Sequence, residues 1–194
     1  MLVKEEVCKN LSDEEIIKKS LLEIDYFACL YNRYDKKLLR YIKRLSMTSE
    51  EEANDILQDS FIKIWRNINN YDSNLKFSSW VYRIVHNETV THYRKNVSFG
   101  KNNTVKIDNS DNLDISEDDD AGNNEEHYIL THKVLQKMSL KYREVLVLSF
   151  LEKMSYTEIS DVLKIPEGSV ASRINRAKKM FKSIVEKENI SINE

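Results

Sequence analysis

Apolar positions recur at helical spacing through most of the chain, and the alternating pattern of strands is missing. Turned at about 100° per residue from Thr48, the segment to about Arg66 gathers Ala53, Ile56, Leu57, Ile64 and, just beyond it, Ile68 in one arc, which predicts a helix with that arc on a core. The opposite arc carries Asp55, Gln58, Asp59, Ile62 and Arg66. An isoleucine between carboxylates and an amide has two readings: a stray apolar side chain on a solvated face, or an anchor with an acidic rim for a basic partner. Further helices are predicted from about Ser12, from Asp25 to Leu45 and from Phe77 to Lys95. Ser12-Asp-Glu-Glu15 and Thr48-Ser-Glu-Glu51 have capping-box spacing, and the polar loop Asn67 to Asn74 is too short for a domain boundary.

Two other faces carry candidate chemistry. In the helix from Phe77, Trp80, Arg83, Asn87, Thr91 and Arg94 form a narrow stripe, with Val81 and Val85 on a second face. Arginine suits phosphate, asparagine a base edge and tryptophan a stacked base; alternatively Trp80 packs in a core and the arginines pair with local acids. Towards the C-terminus, the stretches from Lys141, from Ser155 and from Pro166 read as three short helices, the layout of a helix-turn-helix DNA reader. The last groups Val170, Ile174, Ala177 and Phe181 as core, with Ser172, Asn175, Arg176 and Lys179 opposite and Arg173 at the flank. Arg173, Asn175 and Arg176 are placed to read bases, and Ser169, Ser172 and Lys179 to hold phosphates.

Composition narrows the class. Three Gly and one Pro in 194 residues leave little to interrupt helices, so the expected fold is all-α: two small helical domains joined by a flexible acidic linker. Residues 1–95 hold 16 Lys/Arg and 15 Asp/Glu, residues 96–126 hold 2 and 9, and residues 127–194 hold 12 and 8. The middle block is rich in Asn, Asp and Ser and cannot bury enough surface to fold alone, so it is a linker, either a solvated tether or a mimic of nucleic acid lying in a partner's basic channel. The expected division is a helical extension over 1–21, a first domain over 22–95, the linker over 96–126, a second domain over 127–185 and a tail over 186–194. Cys8 and Cys29 lack metal-site spacing and are expected to be reduced, structural thiols. His86, His92, His127 and His132 are separately placed on helical stretches and form no metal cluster. No phosphate loop or nucleophile–base pairing stands out, so no catalytic residue, metal, cofactor or small-molecule substrate is expected. No apolar run approaches the roughly 20 residues of a membrane span, and the N-terminus lacks a secretion signal, which points to a cytoplasmic protein without membrane insertion.

Asp55-x-x-Gln58-Asp59-x-Phe61-x-x-x-Trp65 and Phe77-Ser-Ser-Trp80-Val-Tyr82-Arg83-Ile84-Val-His-Asn87 resemble region 2 of the extracytoplasmic-function (ECF) sigma factors of bacterial RNA polymerase. Tyr142-Arg143-Glu144, Ser155-Tyr156-x-Glu158-Ile159 and Pro166-Glu167-Gly168-Ser169-Val170-x-Ser172-Arg173 resemble region 4 of the same family. The resemblance implies that Asp55, Gln58 and Asp59, with the neighbouring Ile62, dock on the clamp helices of the largest subunit of core RNA polymerase. It implies that Asn69, Asn70, Tyr71, Trp80, Arg83, Asn87 and Arg94 serve the -10 element of promoter DNA. Ser169, Ser172, Arg173, Asn175, Arg176 and Lys179 would serve the -35 element, and the acidic linker would run through the RNA exit path. An anti-sigma factor is a possible further partner. Ala171 and Thr91 depart from the family's usual Lys or Arg and its common Asp, and Lys164 stands where Gly or Asn often makes the turn, which strains the backbone if the turn needs a positive φ. The alternative is a two-domain helix-turn-helix regulator that does not bind core polymerase.

Overall fold

The computed structural model describes residue 3, residues 5–98 and residues 125–187, with the side chains of 5 and 125–128 excepted. Their elements are α1 (Glu5–Lys9), α2 (Asp13–Ser20), α3 (Phe27–Ser46), α4 (Glu50–Asn67), α5 (Phe77–Ser98), α6 (Glu125–Lys137), α7 (Leu140–Leu146), α8 (Tyr156–Leu163) and α9 (Glu167–Lys187). Tight 3-10 turns at Ile24–Tyr26 and Ile68–Asn70 lead into α3 and out of α4, and α7 widens into a π-helical turn over Val147–Leu151. No strand occurs among the described residues. Most of the predicted linker, residues 99–124, lies outside them, as does the end of the tail, residues 188–194.

Local chemistry sets several helix starts. Ser12 and Ser155 each accept from the backbone of the residue three further on, and Glu15 and Glu158 reach back to the cap, completing two capping boxes. The cap of α4 is Ser49, one residue later than the expected Thr48: Ser49 Oγ accepts from the Glu52 amide, while the Thr48 hydroxyl bonds the Glu52 carboxylate. A short α1, which the apolar pattern does not announce, precedes α2.

The N-terminal body packs α3, α4 and α5 around Leu38, Tyr41, Ile42, Leu45, Ile56, Ile64, Val81 and Val85, all buried. The whole predicted arc of α4 is buried, together with Ser60 and Phe61. The C-terminal body packs α6 to α9 around Val145, Leu148, Ile159, Val162, Val170, Ile174 and Ala177. Along the chain from α8, Lys164 closes the helix at φ 53°, ψ 48°, so the turn does need the left-handed conformation that a residue with a Cβ adopts at a cost. Replacing Lys164 with Gly is expected to stabilise the fold by about 1 kcal/mol, read as a higher midpoint in urea; an unchanged or lower midpoint would show that the turn stores no such strain.

The cysteines depart from expectation. Cys8 and Cys29 are joined as a disulfide that ties α1 to α3, with Cα atoms 5.3 Å apart, where the sequence suggested separate thiols. Spacing alone hid the pair because α1 folds back on α3: Arg33 donates to the carbonyls of Cys8 and Leu11 and pairs with Asp13 at 2.6 Å. The bond closes a loop over a separation of 21 residues. Reduction is therefore expected to lower the stability of the N-terminal body by about 3 kcal/mol, seen as an earlier thermal transition with reductant present.

The two bodies are in contact. Helix α8 lies on α5, and α7 with its π turn meets the end of α3. Glu152 accepts from Tyr82 Oη at 2.6 Å and from Arg44 Nη1 at 3.3 Å, Lys76 pairs with Glu158 at 2.8 Å, and Arg143 Nη1 donates to the Leu45 carbonyl at 2.8 Å.

Candidate polymerase and promoter interfaces

Helix α4 presents Asp55, Gln58 and Asp59 to solvent, and Ile62 beside them is 42% exposed. Burial of the opposite arc fixes that orientation, so the acidic rim with one apolar side chain follows from the core packing. Sequence reasoning missed Tyr31 of α3. Its ring lies 4.6 Å from that of the buried Phe61 and 43% of its surface is exposed, so α3 adds an exposed aromatic side chain beside α4. Phe27 meets Phe61 and Trp65 edge-on one turn earlier, so Phe27-x-x-x-Tyr31 was the available signal.

Around α5, Asn87, Thr91 and Arg94 are exposed and Arg83 is half-buried, so the polar part of the predicted stripe faces outward. Trp80 does not join it. Only 5% exposed, it stacks on Phe77 with centroids 5.6 Å apart and packs against Tyr71, so its face is closed to a base. Tyr71 is likewise half-buried in this aromatic group, with its hydroxyl donating to the Leu75 carbonyl. Asn69 and Asn70 stand exposed on the turn leading into it. The aromatics therefore brace the loop, and the amides are its open side chains.

Helix α9 buries Val170, Ile174 and Ala177 and exposes Ser172, Asn175, Arg176 and Lys179. Ser169 is half-buried and its carbonyl accepts from the Ser172 hydroxyl. Arg173 is half-buried, and its Nη1 meets Glu144 Oε1 at 3.1 Å. Glu144 Oε2 in turn stands 3.6 Å from His86 Nε2 on α5. Burial pushes the Glu144 carboxyl up to about 7, against the pull of Arg173 and Arg94, and burial, with Arg94 adding to it, brings His86 down to about 4. The imidazole is thus neutral near pH 7 and bonded to the Tyr41 hydroxyl at 2.9 Å, so Arg173 supplies the charge that Glu144 meets. One carboxylate therefore bridges Arg173 on α9 and His86, the residue before Asn87, on α5. His86 is buried, and no group of His, Cys, Asp and Glu among the described residues is arranged to hold a metal.

Comparison with known proteins agrees with this layout. A model of sigma-70 region 2 matches residues 30–98, and a model of sigma-70 region 4 matches residues 129–181. The ECF RNA polymerase sigma factor SigW of Bacillus subtilis is 30% identical over 182 residues, covering 87% of this chain and 96% of its own. The ECF RNA polymerase sigma-E factor of Haemophilus influenzae is 26% identical over 167 residues, covering 82% and 87%. Two solved structures share the fold at 20% and 19% identity. CnrH, in complex with the cytosolic domain of CnrY, aligns with a TM-score of 0.65 over 89% of this chain and 96% of its own. RpoE of Bartonella quintana, in complex with the anti-sigma factor NepR, aligns with a TM-score of 0.64 over 87% and 98%. With regions 2 and 4 in this order and a relative of this identity along nearly its whole length, the chain belongs to the ECF subfamily of the sigma-70 family of RNA polymerase sigma factors.

Proposed function

We infer that this sigma factor binds core RNA polymerase through α4 and directs it to promoters, with the amides before α5 and the outer stripe of α5 serving the -10 element and α9 serving the -35 element. It has no catalytic step of its own. The observation that carries the reading is the pairing on one chain of an exposed Asp55-Gln58-Asp59-Ile62 face with an exposed basic helix-turn-helix. A regulator that ignores core polymerase accounts for the second feature and leaves the first unused. The acidic linker is proposed to follow the RNA exit path, and the place of action is the cytoplasm. CnrH and RpoE are each held by a second protein in their solved structures, and an anti-sigma factor reaching the Ile62 face is proposed here on that ground.

Spacing adds a requirement. The two elements are named for positions about 25 base pairs apart, which at about 3.4 Å each is roughly 85 Å of duplex. Arg173 and His86, next to Asn87, meet across the single Glu144 carboxylate at 3.1 and 3.6 Å. The closed arrangement cannot serve both elements, so the bodies part when the promoter is bound.

The reading is tested by selecting promoters from a random DNA pool with the full chain and core polymerase. Two short motifs at fixed spacing are expected. Arg176→Ala is expected to relax or weaken the upstream motif alone, by about 1–3 kcal/mol. Loss of both motifs together, or of neither, would contradict the division of labour between α5 and α9.

A further inference from the structure

Between the two bodies lies a polar cleft of about 390 Å³, walled by α3 and α5 on one side and by the π turn and its following loop on the other. Its charged lining is mostly cationic. Arg33, Lys37, Arg40 and Arg44 follow one another along α3 at helical spacing, Lys153 faces them from the C-terminal body, and Glu152 and Glu158 are the acids in the wall. Those acids are engaged, Glu152 by Tyr82 and Arg44 and Glu158 by Lys76 and the cap of α8. Arg33 is engaged as well, by Asp13 and two carbonyls. What remains is Lys37, Arg40 and Lys153. No carboxylate lies within ion-pair distance of any of the three among the described residues, although Arg40 stands near enough to Glu152 and Tyr82 to act on both. Lys153 is held towards the cleft in the left-handed conformation, φ 54°, by a loop whose Glu152 and Met154 amides bond the carbonyls of Val147 and Leu148.

We propose that this cleft binds a small polyphosphate, with Lys37 and Arg40 holding it from one body and Lys153 from the other. Three cations that make no ion pair among the described residues, set around one concave site, favour an anion carrying more than one charge. Lys37 and Arg40 stand about 4.5 Å apart along α3 and Lys153 lies on the facing wall, an arrangement that two or more linked phosphates can meet at once. The volume also admits a nucleotide. An anion held from both sides binds the closed arrangement and opposes its opening, because it loses Lys153 when the bodies part. The binding itself does not depend on the promoter reading, since neither polymerase nor DNA enters its test.

Calorimetric titration of the full chain with pyrophosphate, inorganic phosphate and ATP tests the site. Saturable 1:1 binding of pyrophosphate is expected, with phosphate on the order of tenfold weaker or more. ATP binding more tightly than pyrophosphate would assign the site to nucleotides, and equal binding would assign it to the polyphosphate group itself; both support the proposal. Lys153→Asn, which keeps a residue tolerant of positive φ, and Arg40→Gln are each expected to weaken pyrophosphate about tenfold, with helicity and thermal midpoint in the absence of ligand unchanged. Lys182→Ala, remote from the cleft, should bind as the parent does. Absence of saturable pyrophosphate binding, or variants at 153 and 40 that bind as tightly as the parent, would overturn the proposal.

Discussion

Replacing Arg143 with Ala is expected to destabilise the C-terminal body by about 3–5 kcal/mol, the largest single-residue effect expected on the fold. Arg143 is 3% exposed and its guanidinium donates four hydrogen bonds, all to carbonyls. Leu135, Gln136 and Met138 offer three of them at the end of α6, where a helix leaves carbonyls without intrahelical donors. Leu45, near the end of α3, offers the fourth, across the boundary between the bodies. The cation thus sits at the negative ends of two helices, with the ring of Tyr93 from α5 at 5.9 Å. Alanine takes a donor from four carbonyls, of which Leu135 keeps the Met138 amide, and removes a charge from two helix ends, against a total stability of about 5–15 kcal/mol for a domain. Lysine keeps the charge but not the fork, so Arg143→Lys is expected to lose about half as much. Urea unfolding followed by circular dichroism reads both; a loss below about 1 kcal/mol for Arg143→Ala would show that the guanidinium does not clamp these ends.

Changing Asp55 and Asp59 together to Arg is expected to weaken binding to core polymerase by at least a hundredfold, since close charge pairs at interfaces are worth about 1.5–7 kcal/mol. Both carboxylates are exposed on α4 and neither makes an ion pair among the described residues, so the fold has little to lose. The same variant should unfold at the denaturant midpoint of the parent and keep the sequence preference of α9 for DNA. Ile62→Asp tests the apolar part of the face and is expected to weaken core binding with the fold intact. Unchanged binding in both variants would move the polymerase contact off α4.

The parts of this account that were legible in the sequence rest on contacts within one helix or one turn. The α4 arc, the Ser12 and Ser155 boxes and the α9 core positions depend on residues three or four apart, and the helix period places them without reference to the rest of the chain. Thr48 and Ser49 show how finely that works: two adjacent hydroxyls both precede the acids, and only the backbone decides which becomes the cap. Trp80 was ambiguous for a related reason, because its stripe runs along the edge of the core and the Tyr71-Phe77-Trp80 group forms only once the loop folds over α5. Contacts between distant segments were not legible. The Cys8–Cys29 bond needs α1 to return to α3, and Arg44 meets Glu152 at a separation of 108 residues. Arg143 and Glu144 stand out in the sequence as part of a family pattern; their physical task, joining helix ends and bridging α9 to α5, appears only in the packed molecule.

The central claim is that one chain carries core polymerase to two promoter elements, and transcription from purified parts tests it most directly. Core polymerase with this chain and a template carrying the selected promoter is expected to give transcripts from one start site, none without the chain, and at most about a hundredth of that level with the Asp55→Arg, Asp59→Arg variant at concentrations below its weakened affinity. A chain that binds the promoter yet neither associates with core polymerase nor yields a transcript would contradict the account and leave a DNA-binding regulator in its place.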